Sequence, residues 1–137
     1  MNSTLSTWLL AALALPLYGV AAPRDDILAQ YASAAKPSSS ASSVFSAARG
    51  EKLHMTKFSG GKAETPACTS CHADNPRNPG RAPTGKGIEA VAVSVSPARY
   101  TDPAKVEKWF QRNCSDVLGR QCTPLEKGDW LSAMIAQ

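Results

Sequence analysis

At 137 residues the chain has room for one domain. Its formal net charge of +4 arises entirely from Arg24 onwards and is spread without a basic block, which argues against a nucleic-acid target and for an ordinary soluble domain. The four cysteines fall into two pairs, Cys68 with Cys71 and Cys114 with Cys122, and each pair needs its own explanation.

Residues 8–20 (WLLAALALPLYGV) form an apolar run too short to span a bilayer well, and Pro16 would interrupt it as a helix. Gly19 and Ala21 flank Val20 with small side chains, so residues 1–21 read as a secretory signal peptide cleaved after Ala21, with cleavage after Ala22 and an uncleaved anchoring helix as the alternatives. The positive charge usual ahead of such a run comes here from the amino terminus alone. Export to the periplasm, where disulfides persist, is the expectation.

Residues 22–43 are expected to hold a short, loosely docked helix and a linker. Ile27, Leu28 and Tyr31 recur at helical spacing in 24–35, and 36–43 (KPSSSASS) is serine-rich. The compact domain is placed at 44–137. Its first helix is expected over 44–58, with Val44, Phe45, Ala48 and Leu53 on its apolar side and Gly50 allowing close approach of another element. Residues 73–84 (ADNPRNPGRAPT) read as irregular loop, and the apolar run 88–95 with its alternating valines as a strand or extended pocket-lining chain, with helix left open. Asp102 followed by Pro103 starts a helix that runs to about Val117 near Gly119. Thr123, Pro124 and Glu126 start the last helix, 124–136, expected to bury Leu125, Trp130, Leu131, Met134 and Ile135.

Cys68-Thr69-Ser70-Cys71-His72 is a CxxCH motif. Its two thiols can add to the two vinyl groups of a haem while the adjacent imidazole binds iron, and its single occurrence implies one covalent haem c. Zinc would need two further ligands, for which Cys114 and Cys122 are poorly placed, and a redox CxxC belongs to a βαβ pattern absent here. A porphyrin would add apolar volume to a domain with few large side chains, and its propionates would cancel about half of the net charge. Arg81, Lys86, Arg99 and Tyr100 are candidates to meet those propionates, and a carbonyl near Pro76 or Pro79 is the expected acceptor for the free nitrogen of His72. Cys114 and Cys122, with seven residues between them and no histidine beside them, read as a disulfide.

The second axial position decides the function. Met55 precedes the motif, and Met134 lies on the core face of the last helix, so neither suits a distal ligand. His54, alone on the first helix, reads as a surface residue. On the helix from Pro103, Val106, Trp109, Phe110 and Asn113 share an arc of about 100°, so Asn113 is the polar member of an apolar face. Either an iron against that face or a local backbone hydrogen bond would satisfy its amide.

The segments FSAARGEKL (45–53), ETPACTSCH (64–72) and GKGIEAVAVSVSPARYTDPAKVEKWFQRNCSDVLGRQCTPLEKGD (85–129), in that order, resemble the sphaeroides haem protein (SHP) group of class I-like cytochromes c. The resemblance spans about 45–134. It implies a mainly α, small class I-like cytochrome c fold wrapped round one haem, with His72 as proximal ligand, Asn113 as unusual distal ligand, and the Cys114–Cys122 disulfide beside it. It further implies a high-spin iron that binds oxygen or nitric oxide on reduction, and partners such as a dihaem cytochrome c and a membrane cytochrome b. An electron carrier follows from this. The alternative class is a haem enzyme turning over oxygen, peroxide or nitric oxide; a gas sensor would need an output module that nothing in the chain resembles.

Overall fold

The computed structural model describes residues 23–35 and 44–137; the signal peptide read at 1–21 and the serine-rich linker at 36–43 lie outside the described residues. In chain order the elements are α1 (Pro23–Ala35), α2 (Ala47–Met55), a single 3-10 turn (Cys68–Ser70), β1 (Gly80–Arg81), β2 (Gly87–Ile88), α3 (Pro103–Leu118) and α4 (Pro124–Ala136). No described helix is long and apolar enough to cross a membrane.

The helix starts are local chemistry. The Asp102 carboxylate accepts the Lys105 backbone N–H at 3.1 Å, ahead of Pro103, whose missing N–H costs nothing there. At the other end Gly119 (φ 71°) turns the chain out of α3 in a left-handed conformation that glycine adopts without strain. The α4 start is a capping box: Thr123 Oγ1 accepts from Glu126 N, and Glu126 Oε2 accepts from Thr123 N at 2.8 Å. Arg120 adds a two-pronged pair to the same carboxylate at 2.7 and 2.8 Å. Helix α2 is shorter than the expected 44–58, because Ser46 caps it and Thr56 leaves it in an extended conformation.

Helices α2 and α4 cross at backbone distance. A Cβ on Gly50 would collide with the Asp129 carbonyl and come within 2.8 Å of the Ala133 methyl, so only glycine fits. The same crossing brings the buried Asp129 carboxylate to Ser46 N (2.7 Å) and the Arg49 guanidinium (2.6 and 2.8 Å). Leu131 and Met134 of α4 are fully buried, and Trp130 and Ile135 partly so. Leu125, expected inside, is exposed, because it shares the outer strip of the helix with Ser132 and Ala136.

The N-terminal helix is firmly packed, contrary to the loose docking expected of it. Ile27 is buried against Val106 and Leu131, with Leu28 and Tyr31 beside it. The Tyr31 hydroxyl donates to Glu107 Oε2 at 3.0 Å, and Lys127 pairs with the other oxygen of Glu107 while lying 5.6 Å over the Tyr31 ring. Burial, and then the Glu107 carboxylate, hold the Tyr31 phenol well above its ordinary range, so it stays a donor.

The loop 73–84 contains one regular piece, a two-residue antiparallel ladder pairing Gly80 with Ile88 and Arg81 with Gly87. Beyond it 89–95 is not a strand. Its backbone bonds instead to Pro76 O from Val91 N and Ala92 N, and to Met134 O from Val93 N, all within 3.0 Å.

Two expectations follow from this packing. Gly50→Ala should lower stability by about 2–3 kcal/mol, as overpacking against unyielding backbone does, read as the shift in a chemical denaturation midpoint. Cys114 and Cys122 form a disulfide across a sequence separation of 8, with Cα atoms 5.5 Å apart. Replacing both by Ser should cost about 2–3 kcal/mol on the chain-entropy account, measured the same way under non-reducing conditions.

Candidate haem site

Cys68 opens the 3-10 turn and Cys71 caps its end, so the turn keeps the two cysteines close together. The turn is closed by Cys71 N–H and His72 N–H donating to Cys68 O at 3.2 and 3.0 Å. Ser70 N–H donates to Ala67 O, and Ser70 Oγ accepts from Ala67 N at 3.1 Å. Neither thiol is in a disulfide. Burial pushes the Cys68 thiol up to about 11, and burial followed by the Asp116 charge raises that of Cys71. Redox CxxC pairs are arranged to lower a thiol pKa. These are neutral S–H groups, the form that adds across a vinyl double bond. Among the described residues no group of three His, Cys, Asp or Glu side chains gathers at metal-holding distances.

His72 completes the turn. Burial, then the neighbouring His54 and Arg99, push its imidazole down to about 4, so at neutral pH it is uncharged and has a nitrogen lone pair for a metal. Its backbone is gripped from one side by Arg81 N–H donating to Cys71 O at 2.8 Å. Gly80 approaches so closely that a Cβ there would strike Cys71 O and lie 2.9 Å from His72 Cα. Of the carbonyls expected near Pro76 or Pro79 to accept from His72, that of Pro76 accepts instead from Val91 and Ala92.

Helix α3 carries the candidate distal residue, Asn113. Val106, Cys114, Val117 and Leu118 are its buried residues, with Phe110 partly buried among them. Trp109 (47% exposed) and Asn113 face outward on the adjacent strip, a correction to the expectation that Asn113 is buried on the apolar face. The core lies to the Phe110–Cys114 side of the arc and leaves Trp109 and Asn113 at its edge. The Asn113 amide forms no side-chain hydrogen bond among the described residues, and the Arg112 guanidinium lies 5.8 Å from the Trp109 ring. The segment just before the motif fixes this end of α3: Lys62 N–H and Thr65 Oγ1 both donate to Asp116 O, Lys62 Nζ pairs with Asp116 at 2.8 Å, and Phe58 packs on the disulfide cluster.

Met134 is fully buried with Val91, Ala133 and Trp130, and Met55 is exposed. His54 corrects the surface reading, for it is 1% exposed. Its Nε2 bonds Ala73 O at 3.0 Å and its Nδ1 accepts from Trp130 Nε1 at 3.3 Å. No sequence signal separates such a histidine from a surface one, since its partners are 19 and 76 residues away.

The residues fit a haem. A three-residue turn presents two neutral thiols and an uncharged imidazole, and Arg99 Nε is buried with no partner, a donor suited to a propionate. Arg99 is held by its own Nη2 on Glu89 O (2.8 Å) and by Arg24 Nε donating to its carbonyl (2.9 Å). The other propionate candidates are differently placed. Tyr100 OH donates to Val91 O at 2.8 Å, Arg81 bonds Gly85 O within its own turn, and Lys86 is exposed.

Among the described residues, four helices and a two-residue ladder accompany a CxxCH turn, the make-up of a small class I-like cytochrome c. The sequence is 48% identical over 91 residues to the cytochrome c-type protein SHP of Cereibacter sphaeroides, covering 66% of this chain and 70% of that protein. Residues 40–134 match the family model DUF1924, a domain of unknown function. The chain belongs to this SHP family of cytochromes c, and its cofactor is covalently attached haem c.

The structure of oxidised SHP, described as an oxygen-binding cytochrome c, superposes with a TM-score of 0.76 at 43% identity, covering 84% of this chain and 96% of that one. Cytochrome c'' of Methylophilus methylotrophus is 37% identical over 89 residues, 64% of this chain and 62% of that protein. The crystal structure of its oxidised form gives a TM-score of 0.67 at 34% identity, covering 84% of this chain and 94% of that one.

Replacing Cys68 and Cys71 together by Ala should leave a polypeptide that shows no haem stain on a denaturing gel. The parent and the Cys114→Ser/Cys122→Ser protein should both stain.

Proposed function

We propose that the protein is a periplasmic monohaem electron carrier that also binds oxygen or nitric oxide when reduced. Cys68 and Cys71 hold the haem through thioethers, His72 is the proximal ligand, and Asn113 is a displaceable distal ligand. The observation that carries this reading is the Asn113 amide: it is outward-facing, without a side-chain partner, and mounted on a helix whose end is fixed by the disulfide and by the segment leading into CxxCH. The resemblance to a protein described as oxygen-binding supports it, as does a solution study of cytochrome c'' concerned with haem-ligand detachment. The signal peptide read at 1–21 supports export. Dihaem cytochrome c and membrane cytochrome b remain the proposed redox partners.

Haem c supplies a one-electron iron centre with a replaceable coordination position. The chain's residues set its terms. The thioethers and the 3-10 turn fix the group's placement, and burial keeps His72 uncharged and donating. A carboxamide oxygen is a weaker donor than a neutral imidazole nitrogen, so Asn113 would be the more easily displaced of the two ligands. Arg99 would neutralise a propionate.

Optical spectra of the holo-protein test the reading. The ferric protein should be high-spin, and the dithionite-reduced protein should bind carbon monoxide and nitric oxide. Asn113→Ala should alter the ferric spectrum and speed cyanide binding to the oxidised protein by about tenfold or more, the scale on which ligand-shell changes act. Unchanged ferric spectrum and rates in Asn113→Ala would remove Asn113 from the iron. Steady consumption of oxygen or nitric oxide with a reductant would replace the carrier with an enzyme.

A further inference from the structure

We infer, on the reading of His72 as the iron ligand, that His54 is a positioning residue for that ligand and acts through the carbonyl of Ala73. His54 lies in the last turn of α2, 1% exposed, in a position where both ring nitrogens are committed. The carbonyl of Ala73 can only accept and the indole nitrogen of Trp130 can only donate, so the two bonds select one tautomer, with the proton on Nε2 and the lone pair on Nδ1. Ala73 directly follows His72, and the two imidazoles stand 6.4 Å apart between centroids, tilted by 31°.

The backbone on either side of His72 is thereby held by different elements. Arg81 of β1 bonds Cys71 O, the carbonyl before it, and His54 of α2 bonds Ala73 O, the carbonyl after it. Trp130, which fixes the His54 tautomer, is itself held edge-on by Tyr100 at 5.9 Å and by Phe110 of α3 at 5.7 Å. Phe110 is one turn before Cys114 on the helix that carries Asn113. The chain of contacts Ala73, His54, Trp130, Phe110 therefore links the backbone beside the proximal ligand to the helix bearing the distal one. Groups that orient an axial histidine tune both its bond to the metal and the behaviour of the opposite position. The role of His54 is to hold the His72 segment at a fixed distance and tilt, so that the strength of the axial bond does not wander.

The experiment uses the full-length holo-protein and compares His54→Phe, His54→Gln and Trp130→Phe by redox titration, by carbon monoxide binding to the reduced form, and by thermal unfolding. His54→Phe fills the same space without the donor to Ala73. It should raise the midpoint potential, because a slackened nitrogen ligand stabilises ferric iron less, and change the carbon monoxide rate severalfold. His54→Gln, whose amide N–H reaches about as far as Nε2, should bring both back towards the parent even if its Tm stays lower. Parental potential and rate in His54→Phe overturn the inference whatever happens to its Tm. Should His54→Phe fail to accumulate with haem, Trp130→Phe decides: losing the tautomer lock should shift the potential in the same direction, and a parental potential there overturns the inference. His72→Ala separates the two levels. If it keeps the parental spectrum, the ligand assignment fails. If its spectrum changes while His54→Phe stays parental, the role of His54 alone fails.

Discussion

Gly50 lets α2 and α4 meet backbone to backbone, and most of what surrounds the haem motif hangs on that crossing. Just before it, Arg49 and, at the helix cap one turn back, the Ser46 N–H reach the buried Asp129 carboxylate, replacing the water that a charge would otherwise lose on burial. One turn after it, His54 reaches Trp130. Three contacts at successive turns register the two helices without slack. A side chain at position 50 would separate them by at least its own radius and break the polar contacts on both sides together. The crossing fixes where the end of α2 lies, and the segment that leaves α2 leads to CxxCH.

That segment does a second job. Between Phe58 and Thr65 it folds back on the C-terminal end of α3, giving Asp116 O two donors and its carboxylate a lysine, and placing Phe58 on the disulfide cluster. Gly119, needed to turn the chain out of α3, also leaves room for Gly60 against it. The short covalent loop from Cys114 to Cys122 makes this helix end stiff. The two proposed axial ligands, 41 positions apart in the chain, are thus set relative to one another by a dozen residues and one disulfide. Were Asn113 the distal ligand proposed above, this stiffness would keep its backbone in place.

What could be read from the sequence was chemistry that completes itself within a few residues. Asp102 with Pro103, Thr123 with Glu126, the glycine after α3 and the CxxCH turn each satisfy their own hydrogen bonds or valences locally, and they stand where expected. The misreadings depend on distant partners. His54 on α2 carries no mark of its acceptor at Ala73 or its donor at Trp130. Leu125 is apolar but lies on the outer strip of a helix whose other sides are covered. The ladder between Gly80 and Ile88 is too short to announce itself by alternation. Asn113 lies on the expected helix but faces outward at the edge of the apolar arc, and the arc's edge cannot be told from its centre until the packing partners are known.

The N-terminal helix shows the same rule from the other direction. Its apolar spacing is weak, yet Ile27 fills a gap between Val106 and Leu131, and the hydroxyl of Tyr31 shares Glu107 with Lys127. Lys127 is nearly buried and is balanced by the partly exposed Glu107 carboxylate, with Tyr31 supplying that carboxylate a donor and Lys127 an aromatic face. At its first turn Arg24 donates to the carbonyls of Arg99 and Pro97, at the base of the side chain whose Nε awaits an acceptor. A segment separated from the domain by a serine-rich stretch therefore closes one side of the core and braces the propionate candidate, so its covering of Lys127 and Arg99 belongs to the haem domain's own electrostatics.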